Sequence, residues 1–544
     1  MHFSPADTLH KRIKTILPLG LVFLVALGVR IILFGQGKVI AADGIGYVNI
    51  ARAIFHDFNF SAASHFPPLY PIFIGMFSYL TPYDEMAGKI VSTIMGSLLV
   101  IPLYLLGTEL FSKRVGYIAS ILAALSPTLV FLSGIVLSQS TYITLLVTAL
   151  YLCWRTFKTN SRTMSLATGF MFGAAYLTRP EAIIVFVGIS VVYLFFRPEN
   201  LTAARTLKLL LFAWGAFLIL AFPYILLLHK IYGTWQLTGK SSVTLADSLG
   251  WYLNRPDLKR EPGFAGLTYL DIVKNYPDFL WKNAAKNILI AASLQQPLMW
   301  ALAAAGCISA FFSTDTWRRL LFLGAALLPL VIIITFYFVD DIYFSPYIPI
   351  VYMLSGNGLI AVENGINRVS ARFGLFRFSE LTPWALLFGI ALAITAIAPS
   401  IMADRNTPYH FSQDGARYDH KLIGLMLKKQ LPPKSRVMVK SGRIAFYGDF
   451  QQVDIPQATL PVILQAAKTD KARYLVADGS LFGARPQMEP YLTPLLIPQE
   501  QISTSGPFGQ MPNFPGGLRL VFLYKDPASV GVAVYEFLDY NEGK

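Results

Sequence analysis

Asp43 stands in the stretch Ala42-Asp43-Gly44-Ile45-Gly46-Tyr47, close behind a long apolar run that ends near Phe34. If that run crosses a membrane, the carboxylate lies at a boundary with access to water and to lipid headgroups. It could then take a proton from a reactant while a lipid-linked substrate keeps its tail in the bilayer. Gly44 and Gly46 would let a ligand approach the backbone closely. The competing reading is a plain turn, because Asp followed by Gly is a common loop pairing.

A second informative stretch is His65-Phe66-Pro67-Pro68-Leu69-Tyr70-Pro71. Its prolines fix an extended chain where it turns back toward the membrane, or simply punctuate the start of a helix. Three cations could meet a phosphate. Arg179 lies at the end of an apolar run, where a charge is costly and needs a partner; Glu181 or an anionic ligand could serve. Lys89 opens another run and either snorkels or touches phosphate. Arg52 follows Asp43 in the same loop. Lys240, Lys282 and Lys286 read as solvated. His56, His65 and His229 are isolated, so a divalent metal is possible but not indicated. Asp340-Asp341 reads as the cap of a span, with a hold on a metal or the acceptor as the alternative. The sequon Asn59-Phe60-Ser61 says only that its loop is exposed.

The elements that must carry these residues follow from composition. Of the 544 residues 54% are hydrophobic and 14% charged, against about 25% charged in ordinary soluble domains. The mean hydropathy is +0.52. The formal net charge of +14 is spread mostly between apolar runs, as the positive-inside bias requires, so nucleic acid is not expected as a partner. Cys153 and Cys307 lie in or at the ends of apolar runs with no metal-ligand neighbours, and both read as apolar filler.

A bilayer core of about 30 Å needs roughly 20 apolar residues per helix. By that rule about eleven spans are expected, at approximately 15–34, 88–107, 115–133, 139–155, 163–178, 181–196, 208–229, 295–312, 319–338, 343–362 and 382–400. The first reads as an uncleaved helix rather than a signal peptide. Alternate loops carry Lys11/Arg12/Lys14, Lys113/Arg114, Arg155/Lys158/Arg162, Arg197/Arg205/Lys208, Arg318/Arg319 and Arg368/Arg372/Arg377. All six sets fall on one side if the N-terminus is cytoplasmic, which places the C-terminus outside. Two outer loops are long, residues 35–87 and 230–294. Within them Tyr47–Phe55 and Tyr269–Ile290 mix aromatic, apolar and charged residues and read as interfacial amphipathic helices or as ordinary loop.

After Ser400 no run is long enough to span. Gln413–Gln430 and Leu460–Ala472 read as helices, Arg436–Val439 and Tyr474–Ala477 as strands, and Arg519–Tyr524 with Gly531–Phe537 as a hairpin. Residues 401–544 should therefore form a small outer α/β domain behind an all-α membrane domain, residues 1–400.

Here the pattern resembles a known group. A boundary Asp followed by a Pro-Pro-Leu-Tyr-Pro run looks like the GT-C glycosyltransferases of the protein-mannosyltransferase and aminoarabinose-transferase type. The resemblance continues through Leu103-Tyr104-Leu105-Leu106-Gly107, Phe111-Ser112-Lys113-Arg114-Val115-Gly116 and Ala123-Ala124-Leu125-Ser126-Pro127. It extends to Tyr176-Leu177-Thr178-Arg179-Pro180-Glu181 and Tyr343-Phe344-Ser345-Pro346-Tyr347-Ile348-Pro349. What it implies is a transferase that uses a polyprenyl-phosphate sugar donor at the outer face. The acceptor would be a glycan, a glycolipid or a protein, with membrane lipid around it. Asp43 stands where the group has its catalytic carboxylate, and Arg52, His65, Tyr70, Lys89 and Arg179 are the expected substrate contacts. Gly44 replaces the second acid of several members, Ser138-Gln139-Ser140 replaces an acid near the fourth span, and His65-Phe66 replaces a Lys. None of those three roles carries over.

Elementary chemistry agrees. A phosphate leaves without being protonated, so no general acid is required, unlike in glycosidases with two carboxylates. One base suffices, direct displacement inverts the anomeric centre, and cations or a metal must meet the developing phosphate charge. A transporter or flippase of lipid-linked envelope precursors is the alternative; it would want polar or broken helices near the midplane, where most of these spans are apolar. An envelope scaffold would tolerate loss of Asp43. The absence of an extended luminal domain of eukaryotic type leans toward a bacterial inner membrane.

Overall fold

The computed structural model describes residues 5–538, apart from 82, 200, 256–257, 259–263, 265, 313–316, 339–340, 374–383, 403–417, 457, 482–484, 486–487, 489–490, 492–517 and 526–530. Two compact units make up the chain. One comprises Met1–Gly37 with Gly46–Ser412, the other Lys38–Ile45 with Gln413–Lys544.

The larger unit is helical. It contains α1 (Pro5–Leu33), most of α2 (Ala42–Asp57), α3 (Leu69–Ser78), α4 (Asp84–Leu98), α5 (Val100–Leu110), α6 (Lys113–Ala124), α7 (Pro127–Ser133), α8 (Gln139–Thr159), α9 (Arg162–Tyr176) and α10 (Ala182–Phe195). It continues with α11 (Ala203–Tyr232), α12 (Ser241–Tyr252), α13 (Tyr269–Asn275), α14 (Pro277–Ser293), α15 (Pro297–Phe311), α16 (Trp317–Ala326), α17 (Leu328–Phe336), α18 (Ile348–Arg372) and α19 (Trp384–Met402). Among the described residues, Asp84–Leu110, Ala203–Tyr232 and Trp384–Ile401 are each long and apolar enough to cross a membrane. Three bent pairs qualify together, and Leu17–Leu33, Leu69–Ser78 and Ala182–Phe195 are shorter apolar helices. The chain is an integral membrane protein.

Local chemistry sets the helix ends. Side chains of Ser112, Ser126, Ser161 and Thr202 accept backbone N–H bonds at the starts of α6, α7, α9 and α11, satisfying donors that have no partner inside the helix. Asn160 closes α8 at φ 54°, in the left-handed region that Asn tolerates. Two spans expected as continuous are broken instead. Residues 115–133 bend by 58° between α6 and α7, and 319–338 by 41° between α16 and α17. Pro127 and Pro329 sit in first turns after these breaks, where proline starts a helix but cannot extend the one before. The span expected at 343–362 begins later: Asp341–Tyr347 is a 3₁₀ segment and α18 runs to Arg372. Asp340 lies outside the described residues.

Tight packing of small residues joins the helices. A Cβ at Gly306 of α15 would strike the Leu354 carbonyl of α18, and one at Gly358 would strike the Leu302 carbonyl. Asn357 Nδ2 donates to Gly306 O at 2.8 Å and Ser355 Oγ to Met299 O at 3.0 Å across the same seam. Such close backbone approach is how membrane helices gain contact without a hydrophobic driving force between them.

Arg30 of α1 is 1% exposed. Its guanidinium donates to Ala124 O at 3.0 Å, Ala123 O at 3.4 Å, Ala26 O at 3.1 Å and Ser133 Oγ at 3.0 Å. It thus caps the carbonyl end of α6 at the break before α7, where helical partners are missing.

The smaller unit is an α/β domain with helices α20 (Tyr418–Gln430), α21 (Gly442–Gly448) and α22 (Leu460–Thr469). Its strands are β1 (Arg436–Met438), β2 (Gln451–Val453), β3 (Tyr474–Asp478), β4 (Leu518–Lys525) and β5 (Gly531–Phe537). The sheet order is β2-β1-β3-β5-β4, with β1 parallel to β2 and β3, and β5 antiparallel to β3 and β4. Side chains alternate across a strand, and here each face has its own core. Leu475 and Ala477 pack with Met438, Ile463 and Tyr535 on one side; Tyr474 and Val476 pack with Ile423, Leu427 and Val534 on the other. The expected helices, strands and hairpin are present, except that residues 413–417 of the first expected helix lie outside the described residues, and α21 and β2 are additions to them.

Candidate active site

Asp43 lies in the first turn of α2 and is half-buried. The stretch read as a possible turn is therefore helical, and an acidic residue in a first turn complements the helix dipole. Tyr47 follows four residues later, on the same helix face.

Tyr47 opens a polar and aromatic cluster in the larger unit. Its hydroxyl pairs with Ser138 Oγ at 3.0 Å, and its ring packs on Phe66 (4.6 Å between centroids) and edge-on to Tyr70 (5.1 Å). Tyr70 is fully buried, and its hydroxyl donates to Gly88 O at 3.2 Å and pairs with Ser92 Oγ at 2.9 Å. Ser138 precedes α8, whose next residues Gln139 and Thr141 are buried. Gln139 Oε1 and Thr141 Oγ1 find no hydrogen-bond partner among the described residues.

Arg179 lies between α9 and α10, with its side chain 13% exposed and 2.9 Å from Glu181 Oε1. Its guanidinium faces the rings of Tyr142 at 5.8 Å and Tyr343 at 5.5 Å, and Tyr47 lies within its electrostatic reach. Such rings attract a cation through their quadrupole. Glu181 in turn lies within electrostatic reach of Tyr142, Tyr269, Tyr337 and Tyr347, and its Oε2 is buried without a hydrogen-bond partner among the described residues. The backbone beside Tyr337 is held firmly: Asn283 and Asn287 donate to Tyr337 O at 2.8 and 2.7 Å, and Ser248 Oγ accepts the Phe338 N–H at 2.7 Å.

The remaining expected contacts are placed as follows. Lys89 pairs with Glu85 at 2.8 Å and donates to Gly37 O at 2.6 Å. Arg52 is exposed and pairs with Asp84 at 2.7 Å. His65 ends the 3₁₀ segment Phe60–Ser64 and meets Phe66 edge-on at 4.7 Å. Lys240, Lys282 and Lys286, expected as solvated, lie over the rings of Phe66, Tyr252 and Phe338. His229 stacks on Trp235. Among the described residues no three His, Cys, Asp or Glu side chains gather as a metal-ligand set. Asn59 Oδ1 accepts the Ser61 N–H at 3.0 Å, a local turn on an exposed loop. An apolar cleft of about 170 Å³ opens elsewhere, lined by Leu122, Ser126, Met299, Tyr352 and Leu392 among others; it includes none of the Arg179 cluster. Sequence reading found Arg179 and Glu181 but not the tyrosines around them, which come from segments far apart in the chain.

This is the GT-C fold, in the form shared by protein mannosyltransferases and aminoarabinose transferases. The family of dolichyl-phosphate-mannose-protein mannosyltransferases matches residues 65–226, less than a third of the chain. The archaeal oligosaccharyltransferase AglB from Archaeoglobus fulgidus, solved with an inhibitory peptide and a dolichol-phosphate, superposes with a TM-score of 0.59 at 12% identity. The match covers 87% of this chain and 70% of that one. ArnT from Cupriavidus metallidurans, solved with undecaprenyl phosphate, superposes with a TM-score of 0.56 at 14% identity, over 94% of this chain and 97% of that one. No curated protein matches the chain in sequence.

Proposed function

We propose that the chain is an integral membrane glycosyltransferase of about eleven spans that transfers a sugar from a polyprenyl-phosphate donor to an acceptor hydroxyl. The N-terminus is cytoplasmic, and transfer takes place at the outer face of a bacterial inner membrane. The observation that carries the reading is Arg179, a cation held among tyrosines between two apolar helices of a GT-C fold. Both solved relatives contain a polyprenyl phosphate, and a buried guanidinium with one carboxylate partner suits a second, phosphate partner.

Asp43 takes the proton of the acceptor hydroxyl. The acceptor oxygen attacks the anomeric carbon, the bond from that carbon to the phosphate oxygen breaks with its electron pair, and the configuration inverts. Arg179 meets the charge that develops on the departing phosphate. Arg52, His65, Tyr70 and Lys89 are the further substrate contacts that the resemblance implies.

The test is sugar transfer in liposomes, wild type against Asp43→Asn, with polyprenyl-phosphate-linked hexoses and pentoses as donors and a mixed envelope extract as acceptor. The expected outcome is transfer by the wild type and a loss of at least about a hundredfold in the folded variant, in line with the contribution of a positioned base. Equal transfer by both proteins moves the base away from Asp43.

A further inference from the structure

The residues just before Asp43 belong with the C-terminal domain. Residues 37–41 form no helix or strand, so their backbone polar groups need partners from elsewhere. Ile40 is completely buried, and side chains of α21 satisfy both of its backbone groups. Tyr447 Oη accepts the Ile40 N–H at 2.8 Å, and Arg443 Nε donates to Ile40 O at 3.0 Å. Lys421 of α20 donates to Lys38 O at 2.8 Å, and its ammonium lies 4.8 Å from the centre of the Tyr447 ring. Arg443 and Tyr447 are four residues apart on one helix face. α21 is itself closely seated on α20, since a Cβ at Gly424 would meet Ile444 O at 2.8 Å. The next residue of the loop, Ala41, accepts the Ile45 N–H at 3.3 Å in the opening turn of α2.

We infer that Tyr447, Arg443 and Lys421 are positioning residues for the Asp43 carboxylate, acting by fixing the strand of backbone from which the first turn of α2 grows. This rests on the proposed role of Asp43. A base works only within hydrogen-bond reach of its proton, and a displacement of about 1 Å can cost about a hundredfold in rate. Two hydrogen bonds on one residue, three positions before the carboxylate, restrain where that turn begins and which way it points.

The experiment compares the wild type with Tyr447→Phe, Arg443→Gln and their double variant in the full-length protein, with Asp43→Asn alongside. Arg443→Lys keeps a donor for Ile40 O. The expected result is a kcat at least about tenfold lower in the double variant with donor and acceptor KM unchanged, within the hundredfold that misplacement can cost. Partial recovery is expected in Arg443→Lys, together with faster amide exchange confined to residues 38–45 while the sheet of the tail stays protected. Unchanged kcat, a loss in KM alone, or unchanged exchange at 38–45 would each overturn the inference. Asp43→Asn separates the two levels: wild-type transfer by that variant sinks the role of Asp43 and the positioning claim with it. Loss in Asp43→Asn with normal kcat in the double variant sinks only the positioning.

Discussion

Arg179 already has one anionic partner 2.9 Å away, and the donor phosphate would be its second. Removing the guanidinium should weaken the donor rather than the acceptor. A hydrogen bond to a charged group contributes about 1.5–3 kcal/mol, so Arg179→Ala is expected to raise the donor KM roughly ten- to hundredfold, read from donor titrations at fixed acceptor. Unchanged donor affinity would return Arg179 to a purely structural ion pair with Glu181. The cation and its carboxylate were legible in the sequence because they sit two residues apart at the end of an apolar run. The tyrosines near them were not, because Tyr47, Tyr142, Tyr269, Tyr343 and Tyr347 come from four separate elements. Local sequence also misread Asp43 as possibly a turn residue. Gly44 and Gly46 lower helix propensity, but the flanking apolar residues Val48, Ile50, Ala51 and Ile54 are buried, and that burial outweighs about 1 kcal/mol per glycine.

At the scale of elements, the seam between α15 and α18 is the most sensitive contact. Gly306→Val places a branched side chain where the Leu354 carbonyl already stands. The expected cost is about 1–3 kcal/mol of overpacking, seen as a lower unfolding temperature in detergent, and Gly358→Val should behave alike. A variant as stable as the wild type would mean that the two helices can separate without loss. Sequence placed most helices correctly because apolar length is a strong signal in a membrane. It missed the breaks in 115–133 and 319–338 because hydropathy does not drop there: Leu125 and Leu327 are themselves apolar. The signal that could have found the first break was Ser126-Pro127, an N-cap followed by a first-turn proline.

Over the whole molecule, the order of helices followed by a small sheet was readable from the fall in hydropathy after Ser400 and from strand-like runs separated by a helix. The assignment of Lys38–Ile45 to the tail was not, since nothing local marks a short loop and the first turn of α2 as partners of a domain nearly four hundred positions later. Orientation is open to a direct check. With Cys307, which is exposed, replaced by Ser and the buried Cys153 kept, a cysteine at Lys428 should react with a membrane-impermeant maleimide on intact cells. A cysteine at Lys113 should react only after lysis, and the opposite pattern would invert the topology. Arg30 has a consequence for how such a chain is made. Apart from Ala26 O in its own helix, its hydrogen-bond partners Ala123, Ala124 and Ser133 lie about a hundred residues downstream, so α1 must enter the bilayer before they are made. A lone arginine opposes insertion by about 2.5–3.5 kcal/mol at the centre of a span, and by less in the last turn, where Arg30 stands. The first helix should therefore settle in the bilayer less readily alone than in company with α6 and α7, whose carbonyls and hydroxyl take up the Arg30 donors.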